Sequence, residues 1–282
     1  MIYLLANIGG ESAQSLLPHF INHYKKLGIE KFLIVVHGGI KPPGTVPQIK
    51  KMLSRFNIDV CKTWYGEYSD GVKDTELKNK VLRENCNQKD WIINADLDEF
   101  QVYPKYLPDL LKECDKNGYD HLIGRLIDRI TANGSFPPIS KSIPIWQQFP
   151  IACHLTEEVI GGYTRKVIAM RGYMTMKTGH HKAKHGFRPY PKIFEVHHFK
   201  WDNTIITRTR ERLKTFEKTE QKEFIDNCER FLRCLKNERI DLTKLSNYGF
   251  TNKTKAFFRK HWFRMQARYR YVAHKFGIKK YY

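Results

Sequence analysis

The segment "DWIINADLDEF", residues 90–100, ends a short apolar run with a close group of carboxylates. The whole chain has a formal net charge of +20, yet this segment contains Asp90, Asp96, Asp98 and Glu99. On an extended strand, the side chains of Asp96 and Asp98 would point to the same side, about 7 Å apart. Such paired oxygens suit Mg²⁺ or Mn²⁺ that is bound together with phosphate groups. A solvated acidic turn is the alternative.

Histidines form a second candidate group. The segments "TGHHKAKHG" and "VHHFKW" contain five of the 12 histidines of the chain, all within residues 180–198. Imidazole often accompanies carboxylates around Mn²⁺, so these segments could complete a metal site. Histidines on strands with aromatic neighbours also serve as hydrogen-bonded structural residues, and that interpretation stays open.

The hydrophobic pattern predicts the elements that would position these groups. The apolar segments "IYLLAN", "KFLIVVHGG", "IDVCKTW" and "DWIINADL" predict four strands, and residues 12–28, 46–56 and 74–85 have helical spacing. This alternation predicts an α/β fold with a parallel, doubly wound sheet that is covered on both faces. In such sheets ligands bind beyond the carboxyl ends of the strands, which is where "NADLDEF" would lie.

The pattern is less regular in the middle of the chain. The segment "GYDHLIGRLIDRITANGSFPPI" predicts a strand and then a turn-rich loop, and "EEVIGGYTRKVIAMRGYMTM" predicts a strand pair with a Gly-Gly break. We expect this part, up to about residue 176, to shape an acceptor or substrate pocket. Residues 204–237 are rich in helix-forming residues of mixed charge.

The end of the chain is strongly basic. Residues 251–282 contain ten Lys or Arg and no Asp or Glu, interleaved with aromatic residues. The pattern is compatible with an aromatic helix face packed on the domain, with binding to an anionic membrane surface, or with nucleic-acid binding, which we favour least. The six cysteines form no CxxC pair, and no apolar run reaches the length of a membrane span. We therefore expect a cytoplasmic protein, soluble or peripheral on the inner face of the membrane.

Taken together, the quoted segments resemble a bacterial branch of glycosyltransferase family 2 that carries a D-x-D-E-F strand end and is related to family 92. The opening "NIGGES" with "LGIEKFLIVVHGG", and the later "GRLIDRITANGSFPPI", "QFP", "RKVIAMRG", "TGHH" and "VHHFKW", are similar to blocks of that branch. The resemblance covers roughly residues 1–215. The adjacent N-E pair of the family is interrupted here, since Gly9 and Gly10 lie between Asn7 and Glu11.

The resemblance implies a GT-A fold and a sugar transfer from a nucleotide-diphosphate sugar, with UDP as the expected nucleotide. Residues 1–215 would form the transferase domain, with a nucleotide-sugar half at 1–100 and an acceptor and metal half at 101–200. Residues 216–282 would form a basic helical C-terminal region. The acceptor would be a hydroxyl of a glycan or a lipid-linked glycan in surface polysaccharide synthesis, and the reaction would invert the anomeric carbon.

The resemblance also implies roles for the acidic and histidine residues. A Mn²⁺ or Mg²⁺ ion would bridge the diphosphate to Asp98 as the direct ligand, and Asp96 would be shared between ribose and metal. Glu99 is expected to anchor the strand end through hydrogen bonds. His198 is the preferred imidazole ligand, with His197 and His181 as alternatives.

An inverting transfer needs a carboxylate that takes the proton of the acceptor. Asp128 in "GRLIDR" is the first candidate, and Glu157 and Glu158 in "LTEEV" are the others. A salt bridge between Asp128 and Arg125 or Arg129 is an equally valid interpretation of that segment.

Residues at the ends of the predicted strands, or just beyond the histidines, are candidates for contacts with the nucleotide. Lys200 and Arg208 follow the histidines and could reach the diphosphate. The residues expected to contact the base, the ribose or the phosphates are Asn7, Glu11, His37, Asp70, Asp96 and Lys200. Two further classes of function remain open: a metal-dependent phosphoesterase or nuclease, and a non-catalytic nucleic-acid-binding or membrane-binding protein.

Overall fold

The computed structural model describes residues 1–40, 44–66, 71–179 and 181–245. The strands are β1 Ile2–Gly9, β2 Lys31–His37, β3 Val60–Trp64, β4 Trp91–Asn94, β5 Glu99–Val102, β6 His121–Ile130, β7 Ile151–Cys153, β8 Arg165–Arg171, β9 Thr175–Met176, β10 Ala183–Lys184, β11 Pro189–His198, β12 Leu235–Lys236 and β13 Arg239–Ile240. The α-helices are α1 Ala13–Lys26, α2 Val46–Ser54, α3 Gly71–Asn85, α4 Leu107–Asn117, α5 Ile145–Gln148, α6 Ile205–Lys218 and α7 Lys222–Arg233.

One large sheet dominates the described residues. Its strand order is β3-β2-β1-β4-β8-β6-β11-β5, with β7 paired to β6. Strands β1, β2, β3, β4, β6 and β11 run in one direction, whereas β5, β7 and β8 run in the other. Two short hairpins, β9 with β10 and β12 with β13, lie outside this sheet.

Alternation along β1 shows why both faces of the sheet are covered. Leu4, Ala6 and Ile8 belong to an apolar core formed with α1, α2 and α4. Tyr3 and Leu5 point to the opposite face and pack in a second core with residues of α3. Burial of successive residues on opposite faces is the pattern expected for a strand between two helical layers. The predicted α/β fold with a doubly wound, mostly parallel sheet is confirmed.

The helices after the sheet form a third apolar cluster. Trp201, Ile205 and Phe231 pack there against Ile130 and Cys153, so α6 and α7 are attached to the ends of β6 and β7. The predicted helical character of this part is confirmed for α6 and α7, whereas residues 251–282 lie outside the described residues. The predicted boundary between residues 215 and 216 falls inside α6. No helix in the described ranges is both long and apolar enough to cross a bilayer.

The strand pair predicted for "EEVIGGYTRKVIAMRG" is only half right. Arg165–Arg171 is strand β8, but Thr156–Ile160 forms a π-helical turn. The turn begins where the Asp128 carboxylate accepts the backbone N–H of Thr156, and it ends at Gly161, whose φ is +80°. A carboxylate at the first turn and a left-handed glycine after the last residue favour helical backbone over a strand.

Gly124 in β6 provides a test of how tightly this sheet is packed. A Cβ at Gly124 would lie 2.5 Å from Val196 Cγ2 and 2.6 Å from Ile168 Cγ2. We expect Gly124→Ala to lower the free energy of unfolding by about 1–3 kcal/mol because the added methyl group overpacks the contact with β8 and β11. Urea denaturation measures the change. Gly71→Ala is the control, because its Cβ would meet Thr178 only at an ordinary 3.5 Å; equal effects would contradict the packing argument.

Candidate functional site

The carboxyl ends of the same-direction strands bring the predicted site residues to one edge of the sheet. Gly9 of β1 is in register with His37 of β2, which is in register with Trp64 of β3. On the other side of the sheet, His198 of β11 pairs with Asp128 of β6 and with Glu99 of β5. The acidic segment after β4 lies between these two groups in the strand order.

The acidic segment forms a turn instead of an extended strand. Strand β4 ends at Asn94, and the Glu99 N–H donates to the Asp96 carbonyl oxygen at 2.9 Å. The Asp96 N–H in turn donates to Glu99 Oε2 at 3.0 Å. The prediction that strand alternation aims Asp96 and Asp98 the same way is therefore wrong, because the chain reverses between them. The predicted anchoring of the strand end by Glu99 is confirmed.

Two buried lysines hold the carboxylate of Asp96. Lys166 Nζ donates to Asp96 Oδ2 at 2.7 Å and also to both carboxylate oxygens of Glu99, at 2.8 and 2.6 Å. Lys78 Nζ donates to Asp96 Oδ1 at 3.2 Å and lies 3.8 Å from Asp74 Oδ2. The side chains of Lys78 and Lys166 are 0% and 1% exposed. Burial by itself would lower the pKa of Lys166, but the carboxylates of Asp96 and Glu99 raise it above its ordinary value.

Sequence reasoning missed both lysines. Lys166 heads the buried run of β8, and a lysine in front of "VIAM" is a weak sign that its ammonium has a buried partner. Lys78 lies among charged residues of α3, where nothing in the sequence separates it from a solvated lysine. Its complete burial depends on the way α3 packs beneath the acidic turn.

Asp98 belongs to a separate chain of contacts with His198 and Asp128. His198 Nε2 lies 3.4 Å from Asp98 Oδ2, and His198 Nδ1 lies 3.3 Å from Asp128 Oδ1. Burial alone would lower the pKa of His198, but the two carboxylates raise it to about 9. Burial would favour the neutral form of Asp98, whereas His198 lowers the pKa of Asp98 to about 2. The side chain of Asp98 is 25% exposed, so it reaches solvent while His198 stays buried.

Asp128 is placed to orient His198. Its side chain is 1% exposed and accepts Thr156 N–H at 2.6 Å, Thr156 Oγ1–H at 2.8 Å and Trp201 Nε1–H at 2.9 Å. These contacts argue against the predicted role of Asp128 as the catalytic base, because a substrate hydroxyl has no path to the carboxylate. Arg129 donates to the Phe149 carbonyl oxygen and Arg125 donates to Glu157, so the described hydrogen bonds of both arginines go to partners other than Asp128.

The other two predicted bases lie on the π-helical turn beside Asp128. Glu157 Oε2 accepts Arg125 Nε–H at 2.9 Å and Thr164 Oγ1–H at 3.0 Å. Partial burial favours the neutral acid, but Arg125 holds the pKa of Glu157 below its usual value. Glu158 is exposed on the same turn. Both side chains reach solvent, since that of Glu157 is also 39% exposed.

The three candidate imidazoles have different surroundings. His197 points to the other face of the sheet from His198, where its ring lies 4.8 Å from that of Trp146 and its Nε2 is 3.4 Å from Glu195. His181 Nδ1 lies 2.8 Å from the Arg165 carbonyl oxygen, beside the strand that carries Lys166. Among the described contacts of the three, the one within 4 Å of Asp98 is that of His198.

The residues predicted for the nucleotide lie at the ends of β1 and β2. Asn7 Nδ2 donates to Asp74 Oδ1 at 2.5 Å, while its Oδ1 is buried and has no hydrogen-bond partner within the described part of the chain. His37 Nε2 lies 2.8 Å from the Gly66 carbonyl oxygen, and its ring is 4.1 Å from that of Trp64. Glu11 is exposed after β1. The prediction for Asp70 lies outside the described residues.

Two basic residues, Lys200 and Arg208, lie near Asp98. Lys200 Nζ sits 4.5 Å from the centre of the Trp201 ring, and Arg208 Nη2 donates to the Lys200 carbonyl oxygen at 3.1 Å. Burial lowers the pKa of Lys200 despite the nearby carboxylates of Asp128 and Asp98. Arg208 has a buried Nε without a hydrogen-bond partner among the described atoms. These groups could neutralise an anionic ligand beside Asp98.

The donor set suits a metal ion only when the ligand supplies further oxygens. Within residues 1–40, 44–66, 71–179 and 181–245, no three His, Cys, Asp or Glu side chains are grouped to hold a metal ion. Mg²⁺ and Mn²⁺ that bind together with phosphates need only one or two protein carboxylates. The partly exposed Asp98 fits that case, and the adjacent His198 would fit it as a neutral imidazole once the cation displaces its proton, whereas both oxygens of Asp96 are occupied by lysines.

The comparisons with known proteins give distant likenesses. Neither a protein-family model nor a curated protein matches the chain. Among solved structures, the chain is similar to S. aureus TarS, with 11% identity over 76% of this chain and a TM-score of 0.38, and it spans 39% of the length of that protein. A structure of S. aureus TarS 1-349 in complex with UDP has 12% identity over 71% of this chain and 60% of that chain, with a TM-score of 0.38.

A further likeness is to 4-diphosphocytidyl-2C-methyl-D-erythritol synthase. It has 13% identity over 61% of this chain and 74% of that chain, with a TM-score of 0.33. Likenesses this distant carry no argument about activity.

The contacts of Asp128 predict a large effect on stability. We expect Asp128→Asn to lower the free energy of unfolding by about 1–3 kcal/mol, because the buried His198 loses one of its two carboxylate partners and a buried donor is left without an acceptor. The new amide would also turn an N–H toward a donor, either Thr156 or Trp201. Urea denaturation at neutral pH measures the loss. Asp59→Asn changes an exposed carboxylate and should have no measurable effect; a similar small effect of both substitutions would contradict the positioning role.

Proposed function

We propose that the protein is a metal-dependent glycosyltransferase. It transfers a sugar from a nucleotide-diphosphate sugar, with UDP as the nucleotide, to a hydroxyl of a glycan or lipid-linked acceptor, with inversion. The observation that carries the proposal is the pair formed by Asp98 and His198 at the carboxyl edge of a doubly wound sheet. That edge is where such sheets bind nucleotide ligands.

The charges around Asp98 support a diphosphate ligand. One partly exposed carboxylate and one imidazole can hold Mn²⁺ or Mg²⁺ when phosphate oxygens fill the remaining positions. The bound cation would act as a Lewis acid that offsets the negative charge of the leaving diphosphate. Lys200 and Arg208 would add positive charge on the side of the phosphates, and Asn7 and His37 would meet the nucleoside at the ends of β1 and β2.

The acceptor side of the site involves the π-helical turn. An inverting transfer requires a carboxylate that accepts the proton of the attacking hydroxyl. We assign this role to Glu158, because it is more exposed than Glu157, whereas Asp128 is buried beneath His198. The setting we propose is synthesis of a surface polysaccharide at the inner face of the cytoplasmic membrane, with the basic residues 251–282 binding anionic lipid.

Calorimetric titration with UDP tests the proposal. We expect wild-type protein to bind UDP in the presence of Mn²⁺ and much more weakly without it. Asp98→Asn and His198→Gln should each weaken the Mn²⁺-dependent binding at least about tenfold, because each removes a proposed ligand of the cation. His197→Gln is the matched control, since His197 lies on the opposite face of the sheet and the substitution should leave binding unchanged.

The results separate the classes of function. Absence of UDP binding with and without Mn²⁺ would refute the assignment of UDP, and titrations with GDP and CMP would then test other nucleotides. Hydrolysis of a phosphodiester substrate without any sugar donor would favour a phosphoesterase instead. Equal binding by wild type and Asp98→Asn would refute the role of Asp98.

A further inference from the structure

The ammonium group of Lys166 occupies the centre of the acidic turn. Its Nζ is within 2.8 Å of three carboxylate oxygens, which belong to Asp96 and Glu99. The side chains of Lys166 and Glu99 are 1% and 4% exposed, whereas Asp96 is 37% exposed. The cluster is therefore buried on the side of the protein core and opens to solvent through Asp96.

A second ammonium group reduces the net negative charge of this cluster further. Lys78, which is fully buried, contacts Asp96 from the side opposite to Lys166 and also lies near Asp74. Two ammonium groups thus face Asp74, Asp96 and Glu99. In a medium of low dielectric constant, such charges interact far more strongly than they do in water. A hydrated cation that approaches Asp96 would have to displace a lysine contact, because two of the three negative charges of the cluster are already compensated there.

We propose that Lys166 is a built-in counterion that keeps a free divalent cation from binding at the acidic turn and makes cation binding depend on the diphosphate. Asp98 lies outside the contacts of Lys166 and offers one carboxylate, which is too few oxygens to hold a hydrated cation alone. A diphosphate supplies the missing oxygens, so cation and nucleotide enter together. The role of the diphosphate rests on the proposed function, but the exclusion of the free cation does not.

The test measures Mn²⁺ binding without nucleotide, by the electron paramagnetic resonance signal of free Mn²⁺ in solution. Wild-type protein should bind Mn²⁺ weakly. Lys166→Met frees three carboxylate oxygens around one point and should bind Mn²⁺ at least about tenfold more tightly than wild type. Lys166→Met combined with Glu99→Gln removes one positive and one negative charge together, and its affinity for Mn²⁺ should return toward that of wild type.

Two further variants keep the result interpretable. Lys166→Arg preserves the positive charge and should bind Mn²⁺ as weakly as wild type. If Lys166→Met fails to fold by circular dichroism, Lys78→Met provides the same test from the other side of Asp96, with a smaller gain expected. A folded Lys166→Met or Lys78→Met protein that binds Mn²⁺ no better than wild type would overturn the inference. Failure of wild type to bind UDP, GDP and CMP would refute the proposed function while leaving the nucleotide-free comparison valid.

Discussion

The buried ion cluster around Lys166 is the interaction on which the geometry of the acidic turn depends. Removing an ammonium and a carboxylate from water costs several kcal/mol for each ion, and close hydrogen-bonded contacts must compensate for this cost. Lys166 meets this condition with donor distances of 2.6–2.8 Å to Asp96 and Glu99. Because Lys166 lies on β8 and Glu99 on β5, the cluster ties an antiparallel strand in the middle of the sheet to the edge strand. The turn between β4 and β5 can therefore adopt few other conformations.

Asp128 provides a second anchor on the other side of Asp98. It gathers donors from the π-helical turn, from Trp201 after β11, and from His198 at the end of β11. The side chain of Asp98 contacts Nε2 of His198, and Asp128 contacts Nδ1 of the same ring. The two anchors leave Asp98 as the member of the acidic segment whose carboxylate is partly exposed and lies outside the contacts of Lys78 and Lys166. This division of roles follows from three-dimensional contacts between elements that are distant along the chain.

The sheet could be predicted well from the sequence because strands and helices follow from residue patterns that are local along the chain. Apolar runs that end in glycine or polar residues, followed by helical spacing, correspond to β1 through β4 and to α1, α2 and α3. This order also predicted the edge of the sheet at which the acidic segment lies, whereas the choice of Asp98 and His198 as partners came from the family resemblance. The same local evidence failed at residues 96–99, because a reversal stabilised by the Glu99 side chain cannot be recognised from apolar spacing. It also could not separate His197 from His198 until the face of β11 was known.

The contacts in the structure change the interpretation of the charge pattern of the chain. In the sequence, a cluster of carboxylates within a chain of net charge +20 indicates that the protein binds a cation there. In the structure, much of that negative charge is already neutralised by lysines that the sequence does not distinguish from surface residues. Asp98 keeps a partly exposed carboxylate next to His198 and outside the contacts of Lys78 and Lys166, and Lys200 and Arg208 lie near it. A ligand that suits both halves of this arrangement must carry positive charge toward Asp98 and negative charge toward the basic side chains, and a cation bound to a diphosphate has that distribution.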